Sequence, residues 1–208
     1  DTPAASPPAL SGSLKNVSGV NINGAGITPP NYAGYEYEVC FKCHADSETL
    51  FPVVPRVVNT VNARVEFSLA NPSYHPVAGA GRNPDVPSLP SASAPTLTAT
   101  SMIYCTDCHD SDESVSVGGS GPRGPHGSLY SPLIRERCET TDNTPESPGN
   151  YALCYRCHNR SSILMDESFR KNGTSGKGGH SGHLGTAVNA PCSACHDSHG
   201  VKDDEVSG

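Results

Sequence analysis

Four pairs of cysteines, each followed directly by a histidine, are the residues of this sequence best suited to chemistry. The spacing is C-x-x-C-H every time, and with 9 histidines in 208 residues a histidine after all four pairs has a chance probability of roughly four in a million. This pattern is the attachment site of c-type haem. The cysteines are Cys40, Cys43, Cys105, Cys108, Cys154, Cys157, Cys192 and Cys195, and the histidines are His44, His109, His158 and His196.

The spacing has a chemical reason. Two cysteines three positions apart on one helical turn reach the two vinyl groups on one edge of a porphyrin, and the next histidine then reaches the iron as proximal ligand. The four motifs therefore predict four covalently attached haem c groups. Eight cysteines of the nine would form thioether bonds.

Other uses of paired cysteines fit this sequence less well. The pairs of a zinc ribbon are typically about 15–20 residues apart and share one metal. Here the motifs begin at residues 40, 105, 154 and 192, and each has its own histidine. A thioredoxin-like redox site and a disulfide framework are weaker alternatives. Cys138 has no partner in this pattern, and we expect either an inert thiol or a contact with another molecule.

Five histidines outside the motifs are candidates for the distal side of the four irons. They lie in short, polar or glycine- and proline-rich segments, which suits a ligand that must approach a flat ring. His199 follows His196 by only three residues, so we expect it to serve a different haem or none. His180 and His183 are likewise too close together to bind one iron from both sides. The candidates are His75, His126, His180, His183 and His199.

A few other residues offer possible ligands or modification sites. Met102 and Met165 could act as axial ligands, but the histidines suffice, and both are expected to fill apolar gaps. The triplets beginning at Asn16, Asn159 and Asn172 match the N-glycosylation pattern, which is common by chance.

The composition is poor in side chains that build a core. Leu, Ile, Val and Phe number 36, or 17% of the chain, below the roughly 20% usual for a globular protein. Glycine and proline contribute 21 and 19 residues more. The predicted fold is therefore mostly irregular, with short helices and at most a small β-hairpin, and with the haems as the core. Apoprotein is expected not to fold.

The order of elements follows from local patterns. Residues 1–34 are expected to form an extended N-terminal arm, and residues 35–208 a single tetrahaem domain. Short helices are expected around each motif, at Pro132–Arg137 and at Ile163–Lys171. Partial alternation of β-branched residues predicts a hairpin within Val53–Phe67.

Charge and hydropathy exclude two classes of partner. A net charge of −7 has the wrong sign for nucleic acid, and the apolar runs are too short for a membrane span. Thioether haem attachment takes place outside the cytoplasmic membrane. We therefore expect an exported chain whose signal has been removed, located at the cell surface or outside the cell, or alternatively in the periplasm.

Longer sequence phrases add a family resemblance. The motifs together with residues 71–77, 124–128, 151–158 and 191–200 resemble the tetrahaem extracellular cytochromes of the OmcE type, multihaem c-type cytochromes that form filaments called nanowires. The similarity runs roughly from Cys40 to Gly200. It implies bis-histidine haems stacked from subunit to subunit, a homopolymer, and one distal histidine supplied in trans by the neighbouring subunit.

The expected function is electron transfer through four closely packed bis-histidine haems, because 208 residues provide only 52 per haem. Redox proteins or extracellular acceptors would be the partners. A soluble periplasmic tetrahaem shuttle is the alternative within the same chemistry. A multihaem reductase with one open haem is the alternative enzyme, and it needs one distal histidine fewer.

Overall fold

The computed structural model describes residues 6–10, 12–45, 62–167, 179–186 and 188–202, and most of these are in turns and irregular segments. The α-helices are α1 (Glu36–His44), α2 (Ala63–Glu66), α3 (Ala152–Cys157), α4 (Arg160–Leu164) and α5 (His180–Leu184). Single 3₁₀ turns occur at Gly12–Leu14, Cys105–Asp107, Val115–Val117 and Cys192–Ala194. The strands are β1 (Gly19–Val20), β2 (Gly26–Ile27), β3 (Ser73–Tyr74) and β4 (Gly200–Val201).

The strands form two small antiparallel pairs. In the β1–β2 pair, Gly19 lies opposite Ile27. In the β3–β4 pair, Ser73 lies opposite Val201, so a distant segment is joined to the region just before His75. Two-residue strands contribute little stability alone. Their effect here is to fix the backbone next to two of the candidate histidines.

Part of the hairpin predicted within Val53–Phe67 is wrong. Residues 53–61 lie outside the described residues, but Ala63–Glu66 forms helix α2. The Asn62 side chain accepts a hydrogen bond from the Arg64 amide at 3.1 Å. This is a helix N-cap, and it outweighs the β preference of Val65.

The helices predicted at Pro132–Arg137 and Ile163–Lys171 also differ from the structure. Residues 132–137 form a turn in which Leu133 has a left-handed φ of 62°, a conformation that an α-helix cannot continue. Helix α4 begins earlier than predicted and ends at Leu164. Residues 168–171 lie outside the described residues.

The chain divides into two compact units. Unit 1 contains Asp1–Arg82, Thr100–His109 and Asp197–Gly208, and unit 2 contains Asn83–Ala99 and Asp110–His196. The first two haem motifs therefore belong to unit 1, and the last two belong to unit 2. The predicted division into an N-terminal arm of residues 1–34 and a tetrahaem domain of residues 35–208 stays a prediction.

Unit 1 has a small aromatic core beside α1. Tyr37, Phe41, Ala45, Phe67 and Val77 form a buried cluster. The Tyr37 and Phe41 rings lie 5.3 Å apart, and the Phe41 and Phe67 rings 6.0 Å apart. Such tilted contacts are favourable for aromatic side chains. The cluster supports one face of α1, the helix that ends with the first haem motif.

The N-terminal segment packs against α1 within unit 1. The Ala33 amide donates to the Val17 carbonyl at 2.9 Å, which folds the segment back beside the helix. A Cβ atom at Gly19 would lie 2.8 Å from the Glu38 carbonyl oxygen, so β1 approaches α1 as closely as only glycine permits. Glu38 in turn accepts from the Gly34 and Tyr35 amides at the start of α1, at 2.8 and 3.1 Å.

Unit 2 buries fewer apolar side chains than unit 1. Tyr151 is fully buried, and Ile134 and Leu184 are also buried. Arg135 is 1% exposed and donates from Nη2 to the Ser116 carbonyl at 2.8 Å.

Within the described residues, no helix has the length and apolar character that crossing a membrane requires.

Candidate haem centres

All four C-x-x-C-H motifs form one helical turn. The histidine amide donates to the carbonyl of the first cysteine in the second, third and fourth motifs, at 2.9, 3.0 and 3.0 Å. The first motif is the last turn of α1. This turn places both cysteines and the histidine along one side of the backbone, as attachment and proximal ligation require.

Unit 1 brings its two motifs together through their first cysteines. The sulfur atoms of Cys40 and Cys105 lie within 4.8 Å of each other. The Glu36 carboxylate also accepts from the Thr106 amide at 3.0 Å and from the Thr106 hydroxyl, which ties the second motif to α1. Hydrogen bonding with Cys40 and burial raise the pKa of Cys105. Two thioether edges would therefore be neighbours in this unit.

Unit 2 repeats this arrangement. Cys154 and Cys192, the first cysteines of the third and fourth motifs, are within hydrogen-bonding distance, and the leftover Cys138 also bonds to Cys154. These contacts and burial raise the pKa of Cys154. The structure thus places Cys138 against the third motif. All nine cysteines are free thiols in the structure.

The contact between Cys138 and Cys154 leads to a prediction about maturation. Oxidation of these two thiols to a disulfide would block one thioether bond of the third motif. We expect the Cys138→Ser variant to carry four haems and to contain a smaller fraction of incompletely matured chains, which carry only three. Intact-mass spectrometry of freshly matured protein measures both fractions. Cys108→Ser is the matched control, because it removes a motif cysteine and should leave one haem held by a single thioether.

In unit 1 the rings of His109 and His199 lie at the spacing of two axial ligands. Their centroids are 6.0 Å apart. An imidazole nitrogen binds a first-row metal at about 2 Å and lies roughly 1 Å from the ring centre, so rings on opposite sides of one iron have centroids about 6 Å apart. The residues present therefore fit one bis-histidine haem at this position. His199 comes from a segment 90 residues away from His109 in sequence.

Unit 2 contains a second pair with the same spacing. The His180 and His196 rings have centroids 6.1 Å apart. Burial and the nearby His196 lower the pKa of His180, which favours the neutral ring that binds a metal. In each unit, the histidine of the later of its two motifs, His109 or His196, lies beside a histidine from outside the motifs.

A carboxylate positions the helix that carries His180. The Asp166 carboxylate accepts from the Ser181 amide at 2.8 Å and from the Ser181 hydroxyl at 2.6 Å, at the start of α5. A Cβ atom at Gly179 would lie 2.5 Å from the Asp166 carboxylate. Any larger residue at position 179 would therefore displace α5 from Asp166.

Several histidines have Nδ1 held by an acceptor, which directs the opposite nitrogen, Nε2, to a metal. His75 Nδ1 lies 2.5 Å from the Ser198 carbonyl, and His183 Nδ1 lies 3.0 Å from the Gly179 carbonyl. His158 Nδ1 is 2.9 Å from the Ser88 hydroxyl. His199 Nδ1 is 2.7 Å from a carboxylate oxygen of Glu66. One proximal and three distal candidates therefore carry the support typical of ligating histidines.

The remaining ligand candidates are less constrained. His44 and His126 are exposed. Within the described part of the chain, the rings of His44, His126 and His183 contact no other histidine ring. Among the described residues, no other histidine ring therefore contacts His44, and the distal partners of the first and third motifs stay predictions.

One buried polar atom also fits a bound group. Tyr151 is fully buried, and its hydroxyl has no hydrogen-bond partner among the residues that the structure describes. Burial raises its pKa to about 12, and the neighbouring Cys192 adds to the shift. A protonated hydroxyl beside the third and fourth motifs could donate to an acceptor on a cofactor. Such a partner would remove the cost of leaving a buried donor unsatisfied.

The residues that support the histidines could not be found from the sequence. Glu66, Ser88 and Asp166 are ordinary polar residues in segments without a motif. Ser88 and His158 are 70 positions apart, and Glu66 and His199 are 133 apart. No local pattern indicates such pairs.

The other predicted ligand and modification sites have plain surroundings. Met102 is buried and Met165 is 70% exposed. Asn16 is exposed, the Asn159 side chain caps α4 by accepting from the Ser161 amide at 2.9 Å, and Asn172 lies outside the described residues. Among the described residues, two groups of three side chains could hold a metal ion, namely Glu36 with Cys40 and Cys105, and Glu66 with Asp197 and His199.

A partly buried ion pair stabilises the third motif. The Glu146 carboxylate accepts from Arg160 Nε and Nη2 at 2.8 and 2.5 Å, and from the Tyr155 hydroxyl at 2.9 Å. Arg160 follows the motif and Tyr155 lies within it. The hydrogen bond from Arg160 is the main reason that the pKa of Glu146 is lowered.

We predict that Glu146→Gln lowers the free energy of unfolding of the haem-loaded protein by about 1 kcal/mol at pH 7, a value reduced because Arg160 is partly exposed. Since the folded-state pKa is lowered, the contribution is fully present above the unfolded pKa of about 4.3 and is lost as pH falls through the folded value. Urea unfolding from pH 7 to pH 3 should show the variant and the native protein converging. The exposed Glu113→Gln is the control, and a difference that grows below pH 4 would contradict the assignment.

The chain was compared with known proteins, and no family model, curated protein or solved structure matches it.

Proposed function

We propose that this protein is an electron-transfer cytochrome that carries four covalently attached c-type haems. The observation that carries the proposal is the pair of histidine contacts, His109 with His199 and His180 with His196, at 6.0 and 6.1 Å. Each pair joins a C-x-x-C-H histidine to one from outside the motifs, 90 residues away for His199 and 16 residues away for His180. Haem, when bound, supplies a one-electron Fe(III)/Fe(II) couple at each motif.

The protein's own residues have three roles in this proposal. The cysteines of each motif would hold one porphyrin edge, and the two histidine pairs would bind the irons of the second and fourth motifs. The residues bonded to Nδ1 hold the imidazole rings in one orientation. An iron held by two histidines would have no coordination site left for a substrate, which favours electron transfer over catalysis.

The contacts between motifs support close spacing of redox centres. In unit 1 the first cysteines of both motifs are adjacent, and in unit 2 the same is true of Cys154 and Cys192. Haems attached at these neighbouring cysteines would be held near each other. We infer that electrons pass readily between the two centres of each unit.

The test of electron transfer against catalysis is ligand binding by the reduced protein. Carbon monoxide binds only an iron with an open or weakly held axial position. The proposal predicts low-spin spectra and no stoichiometric carbon monoxide complex in the assembled protein. One carbon monoxide per chain would instead support the multihaem reductase.

Assembly into a filament with haems continuous between subunits is part of the same proposal. Five distal candidates are available for four irons. The motif histidine His44 and the distal candidate His126 are both exposed, so His126 of one copy could reach the iron held by His44 of a second copy. We propose that one distal histidine is supplied in trans. Electrons would then pass along the polymer to extracellular acceptors or redox partner proteins, outside the cell or at its surface.

Electron microscopy of native material tests this assembly. Filaments, and the appearance of one high-spin haem per chain when they are separated into subunits, are the expected results. Uniformly globular particles at high concentration, with four low-spin haems each, would favour the soluble periplasmic shuttle.

A further inference from the structure

We propose that Glu66 lowers the reduction potential of the haem held by His109 and His199. The inference rests on the proposed function, because it needs haem at the second motif. It assigns to Glu66 a positioning and tuning role through His199. The observations that carry it are the contact between these two side chains and the way the fold of unit 1 fixes both of them.

Glu66 is buried next to His199. Its side chain is 2% exposed, and Oε2 lies 2.7 Å from His199 Nδ1. The residue ends α2. The side-chain nitrogen Nδ2 of Asn71 donates to the Glu66 carbonyl at 2.7 Å, which fixes the backbone at this point. The carboxylate is therefore held in place by the fold of unit 1.

His199 is held just as firmly from its own side. Its carbonyl accepts from the His75 amide at 2.9 Å, and its amide donates to Asp197 Oδ1 at 2.8 Å. The Phe67 ring packs against the imidazole at a centroid distance of 4.9 Å. The contact between Glu66 and His199 is consequently built by two fixed segments.

Gly200 makes the close approach of these segments possible. A Cβ atom at this position would lie 2.1 Å from the Glu66 carbonyl oxygen and 2.7 Å from the Ser73 carbonyl oxygen. Any side chain there would push β4 away from α2 and β3. Glycine at position 200 therefore allows His199 to contact Glu66.

The chemistry of the Nδ1 partner differs among the histidines. His158 has the hydroxyl of Ser88, and His75 and His183 have backbone carbonyls. The Nδ1 partner of His199 is the carboxylate of Glu66. A carboxylate acceptor raises the basicity of a ligating imidazole more than a neutral oxygen does. Because a more basic ligand stabilises Fe(III) over Fe(II), His199 should lower the potential of its haem.

Charge near the ring acts in the same direction. Ligand atoms of Glu66, Asp197 and His199 all lie within 4.8 Å of one another. Negative charge in a buried position favours the oxidised, more positive iron. The hydrogen bond and the charge therefore both predict a lowered potential at this haem.

The test is Glu66→Gln in the haem-loaded protein, followed by redox titration with optical and EPR detection. We expect one of the four midpoint potentials, that of the haem held by His109 and His199, to rise by at least a tenfold change in the Fe(III)/Fe(II) ratio, which is about 59 mV for one electron. The EPR signal of the same haem should change its g values while remaining low-spin. The other three potentials should move much less.

Two further variants separate the hydrogen bond from general effects. Glu38→Gln removes a carboxylate from the same unit, one that accepts from the Gly34 and Tyr35 amides, and should leave the g values unchanged. Glu66→Asp keeps the carboxylate and should shift the potential less than Glu66→Gln. If Glu66→Gln fails to fold, the native protein still tests the idea, because one of its four haems must show the EPR signature of a strongly hydrogen-bonded imidazole.

The outcomes distinguish this inference from the proposed function. Loss of haem attachment in native protein would refute the function itself. Four low-spin haems with unchanged potentials in Glu66→Gln would refute only the role of Glu66. Appearance of a high-spin haem in that variant would also overturn the tuning role, because Glu66 would then serve solely to keep His199 on the iron.

Discussion

Replacing His199 with alanine should convert one of the four haems from low-spin to high-spin. The His199 ring lies 6.0 Å from the His109 ring, and alanine cannot bind iron. The reduced variant should therefore bind one carbon monoxide per chain, a change in about a quarter of the haem absorbance. Optical titration with carbon monoxide and EPR of the oxidised protein measure this change.

The same experiment in unit 2 provides a matched variant. His180→Ala should give the same stoichiometry, because its ring lies 6.1 Å from His196. Met165→Leu is the control, since Met165 is 70% exposed and no role as a ligand is proposed for it. Four low-spin haems in both alanine variants would show that the two ring pairs are ordinary side-chain contacts.

Protein made without haem attachment should be unfolded. The buried hydrophobic residues among those described number ten, and two of these are alanines, so few side chains exclude water. At about 25 cal/mol per Å² of apolar surface, so small a core does not offset the conformational entropy of 208 residues. Apolar porphyrin surface is expected to supply the difference.

Replacement of all eight motif cysteines with serine tests this prediction. A folded chain of 208 residues has a radius of gyration of about 17 Å, whereas an unfolded one has about 49 Å. Small-angle scattering of the variant should give a value near the larger figure, and circular dichroism should show coil. A compact variant with cooperative unfolding would mean that the polypeptide builds its own core. Cys138→Ser in the native background is the control for the loss of a thiol alone.

The local structure of the motifs was accessible from the sequence, whereas their surroundings were not. C-x-x-C-H requires a helical turn because the chemistry involves residues at i, i+3 and i+4, and the structure has such a turn at each motif. The short spacing between His196 and His199 was enough to suggest different irons. That His199 lies beside His109 depends on the pairing of β3 with β4, which joins segments more than 120 residues apart.

Turn chemistry accounts for the elements that were predicted wrongly. Asn62 caps a short helix where β-branched residues favoured a strand, and Leu133 takes a left-handed conformation where a helix was expected. Both outcomes follow from one side chain or one backbone angle. The partners of Nδ1, above all Glu66 and Ser88, depend on tertiary contacts that have no sequence signal.

The number of covalently attached haems tests the central claim most directly. Intact-mass spectrometry of the protein, with a pyridine haemochrome spectrum of the same sample, measures attachment and the type of bond together. The account predicts a chain heavier by four haems, with the spectrum of two thioether bonds at each. A mass equal to that of the bare chain, or a chain that carries zinc and no haem after export and maturation, would contradict it.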